Sequence, residues 1–156
     1  MSDTAATQNL TGRRQAPRRS ALAIALALNV VWINASEVFR YFAFVMPMMR
    51  EALPQVPDVA PMSLIVFAIW GLWDTIVLLT ITLATWVYLD RTGTSYRGAL
   101  ISGTAVWLAV FVVLWLGPFN MNLAPAAVVL TALPLAWLEM VVAAGLVAWA
   151  RRRAGL

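Results

Sequence analysis

Four ionisable residues stand inside long apolar stretches of this chain, where charge is costly. Glu37 and Arg40 lie in the first stretch, Asp74 in the second and Glu139 in the fourth. A charge at the centre of a membrane helix costs about 2.5–3.5 kcal/mol on insertion scales, so such residues face the interior of a bundle and typically serve proton, ion or ligand paths. We interpret the four as a candidate intramembrane proton or ligand site. The alternative is that they hold helices together through buried ion pairs and hydrogen bonds, above all Glu37 and Arg40.

The charges of this candidate site do not balance. Glu37 and Arg40 are three residues apart, so in a helix they share a face and can form an ion pair. We expect Arg40 to be shared between Glu37 and Asp74, although it neutralises only one carboxylate at a time. At least one acid then lies without a cation in a poorly solvated place, which favours its neutral form. We therefore predict that Asp74 or Glu139 is protonated at pH 7.

Four further residues can support the site. Two are tryptophans near mid-span, where an indole can bound a flat apolar ligand and its N–H needs an acceptor. One is a proline that removes a backbone hydrogen bond from the fourth stretch and frees a carbonyl near the acid. One is an asparagine a turn before the first acid. Ordinary helix packing is the alternative for the tryptophans and the proline. The four are Asn34, Trp73, Trp137 and Pro134.

The residue types exclude much of enzyme chemistry. The chain has no Cys and no His, and all eleven of its basic residues are Arg. Disulfides, thiolate nucleophiles, Cys or His metal sites and lysine Schiff bases are therefore excluded. We assign no catalytic residue, no metal and no cofactor. We expect no enzyme activity, unless the buried carboxylates act as acid–base catalysts.

The elements that position these residues follow from hydropathy. Of the 156 residues, 62% are hydrophobic and 12% are charged, which is too apolar for a small soluble domain. Four stretches can each cross about 30 Å of hydrocarbon, where a backbone must satisfy its own hydrogen bonds. We predict an all-α polytopic membrane protein, a bundle of four transmembrane helices. The predicted spans are 21–46, 63–89, 98–117 and 124–150, between an Arg-rich tail (1–20) and a basic tail (151–156).

Small residues recur at helical spacing along the third and fourth spans. Small side chains let helices approach closely in lipid, so these stripes predict the packing faces of the two spans. The stripes are Gly98, Ser102, Ala105 and Ala109 on the third span and Ala132, Ala136, Glu139, Ala143 and Val147 on the fourth.

The distribution of arginine predicts the orientation. The two tails and the 90–97 loop share one side of the membrane and hold nine Arg residues, whereas Arg50 stands alone on the other side. The positive-inside rule places the first side in the cytoplasm, so we expect both termini there, in a bacterial inner membrane. A cleaved signal peptide over residues 1–35 is an open alternative. The basic residues are not accompanied by aromatic residues in a groove, so we do not predict nucleic-acid binding.

Two functional hypotheses follow. The first is a small accessory or structural subunit that packs in the bilayer against itself or a larger membrane complex. The second is a proton-linked small-molecule transporter or an intramembrane acid–base catalyst, with Asp74 and Glu139 as proton carriers and Arg40 as an anion clamp. Because the chain is short, a transporter is expected to need a homo-oligomer to build a full path.

Overall fold

The computed structural model describes residues 3–156, with side chains described from residue 17 onward. Most of this part is helical, and two of its long helices each contain one π-helical turn. In chain order the elements are α1 (Asp3–Arg40), π1 (Tyr41–Val45), α2 (Met46–Ala52), α3 (Leu64–Thr92), α4 (Tyr96–Trp107), π2 (Leu108–Val112), α5 (Val113–Asn120) and α6 (Ala126–Arg153).

Four helical spans in the described part are long and apolar enough to cross a membrane. They are the first span (Pro17–Ala52), the second (Leu64–Thr92), the third (Tyr96–Asn120) and the fourth (Ala126–Arg153). The predicted all-α bundle of four transmembrane helices is thereby confirmed, and the chain is an integral membrane protein. The largest difference from the predicted boundaries is at α1, which begins at Asp3, within the predicted tail.

Serine caps begin the second and third spans. The Ser63 hydroxyl accepts a hydrogen bond from the N–H of Val66 at 3.4 Å, and the Ser95 hydroxyl accepts one from Gly98 at 3.0 Å. Each cap satisfies a donor that the first helical turn leaves without a partner. Gly93 follows the second span with a φ of 86°, a conformation that favours glycine. The short connection lets the second and third spans pack as neighbours.

The fourth span packs against each of the other three, most extensively against the third and the first. Its predicted small-residue stripe is confirmed, because every member is buried. The third span approaches it most closely at Gly103, where an added Cβ would lie 2.8 Å from the carbonyl oxygen of Met140. A side chain at this glycine would therefore push the two helices apart.

The packing face of the third span differs from the prediction. Gly98 and Ser102 are buried as predicted, whereas Ala105 and Ala109 are exposed. The buried residues that follow Ser102 on this span are Gly103, Val106 and Phe111. Val106 and Phe111 are five residues apart, rather than three or four, because the π-helical turn π2 adds one residue to the helical turn.

Buried polar side chains join the spans where apolar packing alone would not fix their register. The Asn29 amide donates to the Thr82 hydroxyl at 2.8 Å and to the Ala143 carbonyl at 3.3 Å, which joins the first, second and fourth spans. The Thr85 and Ser102 hydroxyls form a hydrogen bond of 2.9 Å between the second and third spans. Such bonds contribute about 0.6 kcal/mol each on average inside membranes.

A charged clamp closes the end of the bundle that carries both tails. Asp90 accepts hydrogen bonds from Arg18 at 2.8 Å and from Arg151 at 3.2 Å. Arg151 also donates to the Thr94 hydroxyl at 3.0 Å, and its guanidinium lies 4.6 Å from the centre of the Trp86 ring. The clamp thus holds the first, second and fourth spans together.

Candidate functional site

The candidate site is built around Arg40, the last residue of α1. Its guanidinium forms an ion pair with Glu37 one turn earlier and a second one with Glu139 of the fourth span, with Nη1 at 3.1 Å from Oε2. All three side chains are buried. The arrangement is a carboxylate–guanidinium–carboxylate triad that joins two spans.

The triad confirms one predicted contact and corrects another. Glu37 and Arg40 pair as their spacing predicts, but the prediction that Arg40 is shared with Asp74 is wrong, because its second partner is Glu139. The guanidinium reaches the fourth span and provides a counterion for Glu139, which is 1% exposed and lies 12 residues from the nearest Arg of its own helix. The pairing depends on how the two helices are rotated against each other.

Two residues outside the predicted site complete the surroundings of Glu139. The Ser36 hydroxyl donates to Oε2 of its carboxylate at 2.8 Å, and the Trp32 indole N–H donates to its backbone carbonyl at 3.0 Å. Trp32, Ser36 and Arg40 are each four residues apart, so they form one stripe of the first span. That spacing is the signal by which Ser36 could have been recognised.

Asp74 is the acid that the triad leaves out. Its side chain is 7% exposed, and Oδ1 has no hydrogen-bond partner among the described residues. It lines the same cavity as Glu37 and Arg40, but it forms no ion pair with Arg40. A buried carboxylate costs free energy unless it is paired, hydrogen-bonded or protonated. Asp74 is therefore positioned to bind a proton or a cation.

A cavity of about 330 Å³ opens directly over this acid. Glu37, Arg40 and Asp74 form its polar base, whereas Glu139 lies behind Arg40 and does not line it. The walls are mainly apolar and come from the first three spans and the segment before the second. Their aromatic members are Tyr41, Phe42, Phe67, Trp70, Trp73, Phe111 and Trp115.

Exposed apolar side chains border the cavity. Phe42, Phe67 and Trp70 lie at its edge and are 42–53% exposed. Asp74 lies ten residues into the second span, which is about 15 Å along the helix axis. The acid and the exposed aromatic side chains therefore border the same cavity.

Both π-helical turns border the cavity. Turn π1 follows Arg40 directly, and Met46 N–H bonds to the carbonyl of Tyr41, five residues back. Pro47 comes next and cannot donate to a carbonyl four residues back, which favours a local rearrangement of the helix. Turn π2 presents Phe111, whose ring centre lies 4.9 Å from the Arg40 guanidinium. Single π-helical turns inside α-helices are frequent at functional sites.

Two of the four predicted supporting residues border the cavity and two do not. Trp73 lines the cavity, and Asn34 lies at its edge, with its amide donating to the Val30 carbonyl of its own helix. Trp137 and Pro134 do not line the cavity. The Trp137 indole donates instead to a hydroxyl on the third span, Thr104, at 3.0 Å. The indole N–H groups of Trp32 and Trp107 donate to backbone carbonyls, so none of these three indoles donates to a carboxylate.

Comparison with known proteins adds no further indication of function. No family model, no curated protein and no solved structure matches the chain. Among the described residues, no group of three acidic side chains is placed to hold a metal ion. The cavity and the unpaired acid at its base are therefore the features from which a function can be argued.

Proposed function

We propose that this protein is a proton-linked carrier of a small lipophilic molecule, with Asp74 as the group that binds the proton. The observation that carries the proposal is the position of Asp74, which is buried, has no hydrogen-bond partner for Oδ1 among the described residues, and lines a mainly apolar cavity bordered by exposed aromatic side chains. Ionisable groups inside membrane spans are costly, and proton relays and substrate paths are where they recur.

Glu139 is not a second proton carrier in this proposal. Its carboxylate already accepts from Arg40 and Ser36, and it does not line the cavity. Arg40 is likewise not an anion clamp, because its guanidinium is engaged by two carboxylates. The triad instead fixes the geometry around Asp74.

Proton binding and ligand binding are coupled in this proposal because both occur in the cavity at Asp74. A ligand in the cavity contacts the groups that surround Asp74, so its affinity differs between the protonated and the ionised acid. By linkage, proton binding and ligand binding then change each other's free energy by the same amount. The cavity of one bundle is not a complete path across the membrane. We therefore propose that a full path needs a second copy of the chain.

An accessory or structural role is the second candidate, and the triad favours it. Glu37, Arg40 and Glu139 join two spans, as polar groups inside a packing module would. Such a role gives no reason for Asp74, which bonds to nothing described and holds no helices together.

The test is proton movement in liposomes that contain the purified protein and a trapped pH-sensitive dye. Three aromatic probes are added in turn, one cationic, one neutral and one anionic. We expect at least one to drive proton movement above protein-free liposomes with wild type and not with Asp74→Asn. The matched control is Asp58→Asn, the same change at an exposed loop acid, which is expected to retain it. No movement with any probe would reject the carrier and leave the accessory role.

A further inference from the structure

The groups around the cavity include more acids than bases. Glu37 and Arg40 face Asp74 from the first span, and Glu139 lies behind them on the fourth span. The third span contributes only uncharged lining residues. Tyr41 is the remaining ionisable group of the lining, and its hydroxyl lies 3.5 Å from the Pro61 carbonyl. One guanidinium thus stands against three carboxyl groups, so an ionised Asp74 has no counterion among the described residues.

The aromatic wall suits a positive charge. Trp73 lies edge-on to Trp70 and to Phe111, with ring centres 6.5 and 6.4 Å apart. Aromatic rings attract cations through the negative charge of their faces, and more strongly where water is excluded. One ring of this wall already contacts a cation, because the Arg40 guanidinium lies over the Phe111 ring.

We infer that the ligand of this cavity is a lipophilic organic cation, an ammonium or phosphonium whose apolar substituents lie against the aromatic wall while its charge lies against Asp74. The inference rests on the proposed function and names its substrate class. The edge formed by Phe42, Phe67 and Trp70 gives such a cation a path from the lipid, where its substituents partition. A carboxylate with an aromatic surround is the chemistry that recognises quaternary cations.

The same geometry determines how a proton and the cation exchange at Asp74. A protonated Asp74 is neutral and can be buried without a counterion, whereas an ionised Asp74 needs one. One bound cation therefore replaces one bound proton, and the charge of the cavity is the same before and after. Competition between the proton and the cation for one carboxylate is the expected form of the coupling.

The test uses tetraphenylphosphonium and tetraphenylborate, two ions of nearly equal shape and opposite charge. Each is titrated into the purified full-length protein in detergent, and binding is measured by calorimetry between pH 5 and pH 8. Both ions keep their charge over this range, so any effect of pH belongs to the protein. We expect the phosphonium to bind at least about tenfold more tightly than the borate at pH 8, a difference of about 1.4 kcal/mol. Its affinity should fall at least about tenfold on going to pH 5.

Two variants, Asp74→Asn and Trp70→Ala, test whether the phosphonium binds in this cavity, and Asp58→Asn is the control. Asp74→Asn should lose both the preference for the cation and the pH dependence, whereas Asp58→Asn should keep both. Trp70→Ala should weaken phosphonium binding but leave its pH dependence in place. Because Trp70 is an exposed edge residue, this variant is expected to fold even if Asp74→Asn does not.

Equal or tighter binding of the borate, no binding of the phosphonium, or full binding by Asp74→Asn would overturn the inference. Its failure is distinguishable from that of the proposed function. If a neutral or anionic probe moves protons through wild-type liposomes while the phosphonium does not bind, the carrier stands and the substrate class is wrong.

Discussion

The guanidinium of Arg40 reaches the carboxylate of Glu139, 99 residues further along the chain, with Nη1 at 3.1 Å from Oε2. The contact joins the first span to the fourth at the depth of the cavity. Among the described residues Arg40 pairs with Glu37 and Glu139, and Asp74 forms no ion pair. The structural role of the triad and the proposed role of Asp74 therefore predict opposite effects of substitution.

Removal of the central cation should destabilise the bundle strongly. In Arg40→Met both Glu37 and Glu139 stay buried without a counterion, and breaking a buried ion pair from one side costs about 3–5 kcal/mol. The measurement is the free energy of unfolding in mixed detergent micelles. Arg18→Met is the matched control, because its pair with Asp90 is exposed and such pairs contribute about 0–1 kcal/mol.

A triple variant checks that the loss comes from unpaired charge. Replacing the whole triad by apolar residues of similar volume, as Arg40→Met with Glu37→Met and Glu139→Met, removes the buried charges together. Exchange of a complete buried triad for well-packed apolar residues is often neutral or stabilising. We expect the triple variant to recover most of the stability that Arg40→Met loses. A triple variant no more stable than the single one would show that the charges are not the cause.

The close approach of the third and fourth spans should depend on Gly103. Gly103→Ala places a Cβ 2.8 Å from the Met140 carbonyl oxygen, so the helices must separate, at a cost of about 1–3 kcal/mol. Gly145→Ala is the control within the fourth span, since its Cβ meets nothing within 4 Å. Alanine favours helix there by up to about 1 kcal/mol, so this variant should be as stable as wild type or more stable. Equal thermal midpoints in detergent for both variants would contradict the packing described.

The orientation can be tested directly because the chain has no cysteine. Single cysteines at Gln55 and Met121 lie in the two exposed connections on one side, and one at Thr92 lies on the other side. The positive-inside rule predicts that a membrane-impermeant maleimide labels the first two in intact cells. The third should be labelled only after the membrane is permeabilised. The reverse pattern would place both termini outside the cytoplasm.

The spans could be predicted from sequence because the bilayer fixes their length and composition. The burial of the whole fourth-span stripe, from Ala132 to Val147, followed from small residues at helical spacing. The third-span stripe failed at Ala105, and the π-helical turn π2 then changed the face that later residues present. Single π-helical turns leave no clear pattern of hydropathy, so faces beyond them are poorly predicted.

The burial of the four ionisable residues could be predicted from sequence, but their bonding partners could not, and their role as a functional site stays a prediction. Costly charges inside apolar stretches identified Glu37, Arg40, Asp74 and Glu139, because burial in lipid makes each of them exceptional. Which acid takes the second bond of Arg40 depends on the rotation and depth of separate helices, and hydropathy sets neither. The sequence-based choice of Asp74 was therefore wrong, and Ser36 was missed although it shares a helical face with Arg40.

The measurement that most directly tests the central claim compares the stability of Asp74→Ala and Glu139→Ala with that of wild type, by unfolding in mixed detergent micelles. Glu139→Ala removes the acceptor of Arg40 and Ser36 and should cost about 1–3 kcal/mol. Asp74→Ala breaks no hydrogen bond at Oδ1 and truncates a side chain that already borders a cavity. We predict stability equal to or above that of wild type, as expected when a charge is kept for function at a cost in stability. A loss for Asp74→Ala as large as that for Glu139→Ala would contradict the account, because Asp74 would then hold the bundle together.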